Sequence, residues 1–490
     1  MSEKLNRAQQ MLDSWRKEVN TDYKPKYHLS VPAGWLNDPN GFGFFKGKCQ
    51  LFYQYHPYDT VWGPMHWGHW TSENLTDWKQ EPVAMAPDCM YDEAGCFSGT
   101  AMEDDGRYWI MYTGVSEEPS TGRTLQRQCL AWTEDGIHVE KAAENPVIGL
   151  DVEPEGLCPY EFRDPKLEKI GDHYRVVVAA KMNNEGKVIS FSSPDMKKWT
   201  YDGVYAEGFG EMAECPDCFE IDGRRVLIAS IMGCKDESLV LPQPVAYMIG
   251  CEKNGKFCAQ TPMRDIDRGL DFYAPQTCLA PDGRRLLIGW AHAWGCETPM
   301  RKLGHGWVGT MTLLRECWIE NDSLYQRPIR ELENQRRHAL VRKKLTVESR
   351  TQLAECAGAC KEMILDIDMT DAESFALCLM ETGDESVVLS YNKREGKLTM
   401  DRGAAGYSLA KENADKPRTC ASVDVSLNTG MLSLRIFVDV SIIEVYISGG
   451  EKVMTCQVFP KGKDYGVSAS AKGKAVIASL ESYDIACQDL

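Results

Sequence analysis

The segment WLNDPNGFGFFKGKCQLFY, residues 35–53, opens the pattern that decides the fold of this 490-residue chain. It contains a polar turn with a glycine, followed by an apolar run that suits a strand. Similar turns recur on average every 59 residues, at Gly47, Gly106, Gly171, Gly223 and Gly283. Hairpins repeated at such a period are typical of the four-stranded blades of a β-propeller. Five turns predict five blades over residues 26–330.

Three short acidic motifs occupy equivalent places in this repeat. WLNDPNG puts Asp38 nine residues before its turn glycine, FRDP puts Asp164 seven residues before, and AECPD puts Glu214 nine residues before. The equivalent places in the second and fifth blades hold Phe97, Ser98 and Tyr273. Because odd offsets share one face of a strand unless a bulge intervenes, we expect the three carboxylates to converge on the mouth of the central channel.

Paired carboxylates in a pocket are what glycosyl transfer requires. One carboxylate acts as nucleophile, one carboxylic acid donates a proton, and further polar groups hold the sugar hydroxyls. Glu211 is a rival acid, but its odd separation from Glu214 places it on the opposite strand face. The alternative for acidic residues near strand ends is that they only make turns, which is our interpretation of Asp59, Asp104 and Asp222.

Bulk composition excludes several other classes of protein. The formal net charge of −17 opposes binding to nucleic acid or to an anionic membrane. The N-terminus MSEKLNRAQQMLDSW has no apolar run of a secretory signal, and no stretch approaches the roughly 18 apolar residues of a membrane span. Nineteen scattered cysteines suit free thiols in a reducing compartment, so we expect a cytoplasmic protein. The pairs Cys215/Cys218 and His66/His69 are weak metal candidates without a second pair, and we expect no metal.

The ends of the chain have a different character. Residues 1–25 carry apolar residues at loosely helical spacing, which indicates a helical cap. Residues 331–345 are charged and suit a linker. Alternating runs over residues 346–490 predict a C-terminal β-sandwich, so the fold class is all-β. Asp439 and Glu444 lie in one of these runs, where we expect an edge-strand or turn role.

This combination resembles glycoside hydrolase family 32, the β-fructofuranosidases, over almost the whole chain. The resemblance implies that Asp38 is the nucleophile, that Asp164 holds fructose hydroxyls and stabilises the transition state, and that Glu214 is the acid/base. It implies hydrolysis of terminal β-fructofuranosides with retention of configuration, through a covalent fructosyl-enzyme intermediate and without a cofactor. In that mechanism Asp38 is ionised and Glu214 is protonated when the leaving group departs.

Further positions resemble the sugar-contacting residues of the family: Asn37, Gln54, Trp62, Phe97, Ser98, Arg163, Tyr273 and Trp290. Three positions depart from the family pattern. Leu36 stands where Met is common, Ala213 where Trp often precedes Glu-Cys, and Thr100 where Ser is frequent. None of these changes removes a reacting group, but Ala213 bears on pocket width and so on substrate preference.

Several alternatives stay open. Another five-bladed carbohydrate enzyme, such as a fructosyltransferase or an arabinan-active hydrolase, also uses three acidic residues on propeller strands. A sugar-binding protein on a catalytically dead scaffold would be expected to lose a reacting carboxylate, and a purely structural propeller does not explain the convergence of three. The small carbohydrate substrate could be sucrose, sucrose 6-phosphate or a short fructo-oligosaccharide, and the protein a monomer or homodimer. A phosphate would need a basic group at the rim, for which the candidates are Arg123, Arg127, Lys181, Arg264, Arg301 and Lys302.

Overall fold

The computed structural model describes residues 2–239, 241, 243–409, 418–427 and 429–487. A helix, α1 (Glu3–Trp15), precedes five small sheets and a larger C-terminal sheet system. The predicted five-bladed β-propeller followed by a β-sandwich is confirmed. Within the described residues, no helix has the length and apolar character needed to cross a membrane.

Each blade is an antiparallel sheet whose first strand in the chain lies innermost. The first blade contains β1 (Gly34–Phe45), β2 (Lys48–His56), β3 (His66–Ser72) and β4 (Trp78–Gln80). The second contains β5 (Gly95–Asp104), β6 (Arg107–Glu117), β7 (Thr124–Thr133) and β8 (Glu140–Lys141). The third contains β9 (Leu157–Ile170), β10 (His173–Met182), β11 (Glu185–Ser193) and β12 (Thr200–Glu207), and a 3-10 turn at Leu150–Val152 precedes it.

The last two blades complete the ring. The fourth contains β13 (Met212–Ile221), β14 (Arg224–Met232), β15 (Val245–Lys253), β16 (Lys256–Ala259) and β17 (Arg264–Asp265). The fifth contains β18 (Tyr273–Leu279), β19 (Arg285–Trp290), β21 (Arg315–Glu320) and β22 (Ser323–Pro328). Strand β20 (Trp307–Val308) lies between β19 and β21 in the chain and pairs in parallel with the start of β1. The last part of the propeller is therefore hydrogen-bonded to its first blade, which closes the ring.

A β-bulge interrupts the innermost strand of every blade at the place where the acidic motifs lie. In four blades the bulge contains a proline, at Pro39, Pro165, Pro216 and Pro275. Proline lacks the N–H that a regular ladder needs, so it is confined within sheets to bulges and edges. A bulge also re-aims the side chains beside it. The bulges, rather than simple strand alternation, therefore point the acidic side chains into the channel mouth.

The C-terminal region is built around two long strands, β25 (Cys360–Thr382) and β32 (Gly466–Ile485), which pair along most of their length. The first part of β25 also pairs with β29, and its last part pairs with β26. The remaining strands are β23 (Arg336–Val347), β24 (Thr351–Gln352), β26 (Glu385–Asn392), β27 (Lys397–Asp401), β28 (Cys420–Asp424), β29 (Met431–Asp439), β30 (Ile442–Ile447) and β31 (Lys452–Gln457). Further 3-10 turns lie at Ala354–Cys356 and Ser448–Gly450.

The segment expected to be a linker, residues 331–345, differs from that expectation. Arg330–Gln335 forms a 3-10 helix, and β23 begins at Arg336 and pairs with β32. Most of β23 is exposed, because it forms an edge of the sheet. Its many charges belong to an edge strand, where charged side chains discourage pairing with other chains, and not to a flexible connection.

The sandwich contacts the propeller through a buried set of charges. The Arg315 guanidinium lies 2.9 Å from Glu444 Oε2 and 3.0 Å from Asp267 Oδ2, and all three side chains are fully buried. Asp439 accepts hydrogen bonds from the backbone N–H groups of residues 26, 27 and 28. The expectation of an edge-strand or turn role for Asp439 and Glu444 was therefore wrong, because both residues join the two domains.

Candidate active site

A cavity of about 380 Å³ opens at the mouth of the propeller channel, where the innermost strands of all five blades contribute side chains. All three acidic residues predicted to converge are in its wall: Asp38, Asp164 and Glu214. The predicted sugar-contacting residues that also line it are Asn37, Gln54, Trp62, Phe97, Ser98, Arg163 and Tyr273. The repeat phase thus predicted six of the fifteen lining residues, and the family resemblance supplied Asn37, Gln54, Trp62 and Arg163.

Asp38 is nearly buried at the bulge of β1 and is held by short contacts on both oxygens. Ser98 Oγ donates to Asp38 Oδ2 at 2.6 Å, and Asn37 Nδ2 donates to Oδ1 at 3.1 Å. Trp35 in turn donates its indole N–H to Asn37 Oδ1 at 2.9 Å, which fixes the orientation of that amide. The carboxylate is therefore rigidly aimed without a cationic partner in hydrogen-bond contact among the described residues.

Glu214 lies at the bulge of β13 and has a different set of partners. Arg163 donates to its Oε1 from Nε at 3.1 Å and from Nη2 at 2.8 Å. Tyr273 donates its phenolic O–H to Oε2 at 2.6 Å. Arg163 also contacts Glu161 Oε2 at 2.5 Å, so the guanidinium is shared between two carboxylates. The Arg163 guanidinium thus holds Glu214 and makes no hydrogen bond to Asp38.

Asp164 is buried at the bulge of β9, where its backbone has a φ of 62°. Its own N–H donates to Thr113 Oγ1 at 3.0 Å, which supports this left-handed conformation. The backbone N–H of Cys215 donates to Asp164 Oδ2 at 2.9 Å. Cys215 Sγ lies 3.6 Å from the same oxygen and 3.5 Å from Asp38 Oδ2, so the thiol separates two carboxylates.

Burial shifts the protonation of two of these carboxyl groups. It raises the pKa of Asp38 to about 6, although the hydrogen bonds from Ser98 and Asn37 oppose the rise. Burial likewise raises the pKa of Asp164 to about 7; Arg163 opposes this, and the negative charges of Glu214 and Asp38 add to it. Desolvation and repulsion between like charges both favour the neutral acid. At pH 7 Asp38 is still mainly the carboxylate that a nucleophile requires.

Aromatic side chains form the outer wall of the cavity. Trp62 is 48% exposed and packs edge-on against Phe97, with ring centroids 5.7 Å apart. Trp290, which was expected to contact sugar, does not line the cavity: it is fully buried and packs against Trp35 and Trp294. The half-buried Trp294 lines the cavity in its place. Trp290 supports the wall from behind through its ring contacts with Trp35, His292 and Trp294.

Sequence reasoning missed several residues of the wall: Thr124, Gln126, Tyr160, Glu161 and Trp294. Tyr160 and Glu161 directly precede the FRDP motif on β9, so their proximity to the motif was an available signal. Gln126 lies on β7, outside any acidic motif, and contacts Arg163 Nη1 at 3.3 Å. Its contribution depends on the packing of neighbouring blades, which no local pattern reveals.

Other candidates are placed outside the cavity. Glu211, the rival acid, is exposed and precedes β13, and it is absent from the cavity wall. Cys215 faces the carboxylates, whereas Cys218 Sγ lies 3.0 Å from Tyr205 OH, so this cysteine pair offers no common ligand position. Within the described part of the chain, Asp88, Cys89 and Asp92 bring three potential metal ligands together, but Lys141 Nζ lies 2.6 Å from both carboxylates.

The six basic residues proposed for the rim differ in their surroundings. Arg127 is ion-paired with Glu153 at 3.2 Å, and Arg264 contacts Asp322 O and Ser323 Oγ on β22. Arg123 stacks at 3.5 Å on Tyr160, whose ring lines the cavity. Arg301 lines a second cavity of about 280 Å³ that shares Trp62 and Trp294 with the first. Lys181 and Lys302 line neither cavity.

The arrangement can carry out acid–base chemistry with a carboxylate nucleophile. One carboxylate is aimed by neutral donors, and a second carboxyl group is held by a guanidinium and a phenol. A third carboxyl group lies beside both, in a recess that an uncharged polyol could fill. These are the parts that displacement at an acetal carbon requires.

Comparison with known proteins gives matches over nearly the full length. The model of the Glycosyl hydrolases family 32 N-terminal domain matches residues 28–328, and that of the family 32 C-terminal domain matches residues 330–484. The sucrose-6-phosphate hydrolase of Escherichia coli is 35% identical, over 97% of this chain and 97% of that protein. The raffinose invertase of Escherichia coli is 32% identical, over 97% and 98%.

A solved structure also matches this chain over nearly its full length. The mutant family 32 beta-fructofuranosidase of Bombyx mori, determined in complex with sucrose, superposes with a TM-score of 0.85 and 30% identity. The match covers 98% of each chain. Both the propeller and the sandwich are therefore shared as one unit.

Proposed function

The chain belongs to glycosyl hydrolase family 32 and is a glycoside hydrolase that releases fructosyl groups, and from this premise we propose how its residues act. Asp38 attacks the anomeric carbon of a terminal β-fructofuranosyl group. Glu214 donates a proton to the departing sugar oxygen. The carrying observation is that these two groups and Asp164 line one cavity, each at a bulge of a different innermost strand.

In the first step the C–O bond to the leaving sugar breaks while a bond from Asp38 to the fructosyl group forms. Ser98 and Asn37 stabilise the attacking carboxylate in one orientation, so little reorganisation is needed. Water then attacks the fructosyl-enzyme, Glu214 accepts its proton, and Asp38 leaves. Two displacements at one carbon return the original configuration.

The supporting groups have distinct roles in this proposal. Arg163 and Tyr273 hold the carboxyl group of Glu214 where the leaving oxygen lies. Burial and the adjacent Glu214 raise the pKa of Tyr273 well above its ordinary value, so the phenol remains a donor throughout. Asp164 accepts hydrogen bonds from fructose hydroxyls, and Trp62 and Phe97 pack against the apolar face of a sugar.

The roles of Asp38 and Glu214 can be separated with β-D-fructofuranosyl fluoride, whose leaving group needs no proton donor. We expect Glu214→Gln to react with this substrate and to accumulate one fructosyl group on the peptide that contains Asp38, detected by mass spectrometry. Asp38→Asn should give no adduct. An adduct on another residue, or on the Asp38→Asn protein, contradicts the assignment.

For the leaving group, we propose a glucosyl unit that carries a 6-phosphate. Support comes from the sucrose-6-phosphate hydrolases among the relatives and from Arg301, which lies in the cavity next to Trp62 and Trp294. Its guanidinium makes one long ion pair, 3.8 Å to Asp59, and is half exposed, so a phosphate can reach it. The 19 unpaired cysteines suit a reducing cytoplasm, where sugar phosphates occur.

The test of this substrate is kcat/KM for sucrose and for sucrose 6-phosphate, measured side by side. We expect at least a tenfold preference for the phosphate, equivalent to about 1.4 kcal/mol. Arg301→Gln should remove the preference while leaving kcat/KM for sucrose unchanged. Arg123→Gln, at the opposite rim, serves as the matched control. Equal rates in the wild-type protein would assign a neutral substrate instead.

A further inference from the structure

The propeller channel has a further cavity at the end opposite the catalytic groups, and we call it the far-end cavity. Its volume is about 670 Å³, and its wall comes from the same five innermost strands, each a few residues further along the chain. Examples are Phe44, Ala101, Lys166, Phe219 and Thr277. Between the far-end cavity and the catalytic cavity lies a narrow interior space of about 10 Å³, whose wall includes Asp164 and Asp217. A ligand at the far end would therefore not occupy the catalytic cavity.

Among the described residues, the cationic side chains in and beneath this far-end cavity are paired with carboxylates, with one exception. Lys166 Nζ lies 2.9 Å from Asp217 Oδ1. Arg225 Nη2 lies 2.7 Å from both oxygens of Glu168. Arg175 Nη2 lies 2.6 Å from the same Glu168, and its Nη1 lies 2.7 Å from Glu252. Three cations are thus balanced by three carboxylates without involving the remaining cation, Arg285.

Arg285 is the exception. Among the described residues, no carboxylate lies within ion-pair distance of its guanidinium, and its Nε is buried without a hydrogen-bond partner. The guanidinium is 4.8 Å from the centre of the Phe219 ring, and burial lowers the pKa of Arg285 from its ordinary value. Asp217 is the nearest source of compensating charge, but it already binds Lys166 and the Thr277 N–H. The Arg285 side chain is half-buried, and a partly desolvated cation without a carboxylate partner is stabilised when an anion joins it.

We propose that this far-end cavity binds a phosphate group, free or carried on a small sugar, with Arg285 as its principal ligand. A guanidinium fork matches phosphate oxygens in a bidentate arrangement. Lys166 and Arg225 also line the cavity, but Asp217 and Glu168 balance their charges, so the unpaired positive charge of the site comes from Arg285. The cavity volume falls within the range of small-ligand sites, so it has room for a sugar as well as the phosphate.

The rim of the cavity favours a ligand with an uncharged body. Leu279 is 60% exposed there, and Phe44 and Met102 are in the wall. The carboxylates that line the rim, Glu103 and Glu220, are exposed to solvent, which screens their repulsion of an anion. The deep end is therefore cationic and the outer part apolar, a distribution that suits a phosphorylated sugar.

Isothermal titration calorimetry tests the proposal on the intact protein with inorganic phosphate and with glucose 6-phosphate, at ionic strength matched with sodium chloride. We expect binding that weakens at least tenfold in Arg285→Gln. Arg224→Gln is the matched control, because Arg224 is the neighbouring arginine on β14 and pairs with Asp322 outside the cavity. Arg301→Gln should also keep this binding, which separates the site from the proposed substrate phosphate contact.

Each outcome decides the proposal. Binding of inorganic phosphate that Arg285→Gln loses assigns a free oxyanion site, and binding of glucose 6-phosphate alone, again lost in Arg285→Gln, assigns a sugar phosphate site. Absence of binding by either probe, or equal binding by Arg285→Gln, overturns it. If Arg285→Gln does not fold, crystals of the wild-type protein soaked in tungstate give the answer. We expect density beside the Arg285 guanidinium, and an empty cavity contradicts the proposal.

Discussion

Two buried carboxylate clusters in this molecule are built on opposite principles. At the channel mouth, Asp38 is held by neutral donors, and its pKa is raised to about 6 by burial. At the contact between propeller and sandwich, burial alone would raise the pKa of Glu444, but Arg315 and His28 lower it to about 2. The first carboxylate has hydrogen bonds but no cationic partner among the described residues, which leaves its charge available for reaction. The second is fully paired, so it holds two domains together.

The same contrast extends to the neighbours. Beside Asp38, the pKa of Asp164 is also raised, to about 7, chiefly by burial. Beside Glu444, burial lowers the pKa of His28, but the hydrogen bond to Asp439 and the Glu444 carboxylate 3.4 Å from Nε2 outweigh it and raise that pKa, which favours the charged imidazolium. Reactive and structural carboxylates can therefore be distinguished by their partners, although both are buried on strands.

The largest expected effect is on turnover in the catalytic cluster. Asp38→Asn and Glu214→Gln should each lower kcat for fructose release by about 10³-fold or more, because each removes a group that we propose to react. The far-UV circular dichroism spectrum should be unchanged. Glu211→Gln, three residues from Glu214 and outside the cavity, is the control and should retain wild-type kcat. Near-normal turnover by either of the first two variants would break the comparison.

A change in the interface cluster should lower the stability of the protein and leave its turnover unchanged. Glu444→Gln leaves Arg315 buried with only part of its compensating charge, and breaking a buried pair costs about 3–5 kcal/mol. We expect that loss in the free energy of unfolding, measured with urea, while kcat per folded molecule is unchanged. A variant that unfolds normally but loses turnover would show that the interface also sets the active-site geometry.

The two clusters should give pH dependences of opposite sign. Asp38 binds its proton more tightly in the folded state, so its contribution to stability falls as pH rises from about 4 to about 6. Glu444 binds its proton less tightly when folded, so its contribution is lost as pH falls from about 4.5 to about 2. Relative to wild type, Asp38→Asn should remove the first dependence and Glu444→Gln the second, as measured by urea unfolding at a series of pH values. Parallel curves for the wild type and either variant would contradict the assignment of that residue.

The smallest expected effect concerns a single hydroxyl. The hydrogen bond from Ser98 Oγ to Asp38 favours the ionised carboxylate. Ser98→Ala should therefore move the acidic limb of the kcat/KM profile to higher pH, with a loss of a few-fold at neutral pH. Ser482→Ala, which removes a buried hydroxyl of the sandwich that donates to Glu355 O, should leave the profile in place. An unmoved limb in Ser98→Ala would mean that Asp38 does not set it.

The propeller, the sandwich and the catalytic cavity were predictable because each leaves a local and repeated signal. Turn glycines gave the blade period, and the acidic motifs gave the phase within it. The bulges were not predicted, although the prolines at Pro39 and Pro165 were visible in the motifs. Strand alternation therefore predicted the right location for the three carboxylates, but it omitted the bulges that direct their side chains.

Features that depend on contacts between distant segments were missed. Nothing local to Arg315 or Glu444 indicates that they meet, because they are more than a hundred residues apart. Trp290 and Trp294 are close in sequence, and only the folded chain shows that Trp294 lines the cavity while Trp290 is buried behind it. The charged segment that begins β23 looked like a linker because an exposed edge strand and a linker have similar composition.

The most direct test of this contrast is the free energy of unfolding of Asp38→Asn and Glu444→Gln at pH 7, measured together with kcat. Removing the desolvated charge at Asp38 should raise stability by up to about 3 kcal/mol while abolishing turnover. Removing the paired charge at Glu444 should lower stability while preserving turnover. If both variants lose stability equally, or if Asp38→Asn remains active, the two clusters do not differ in the way proposed here.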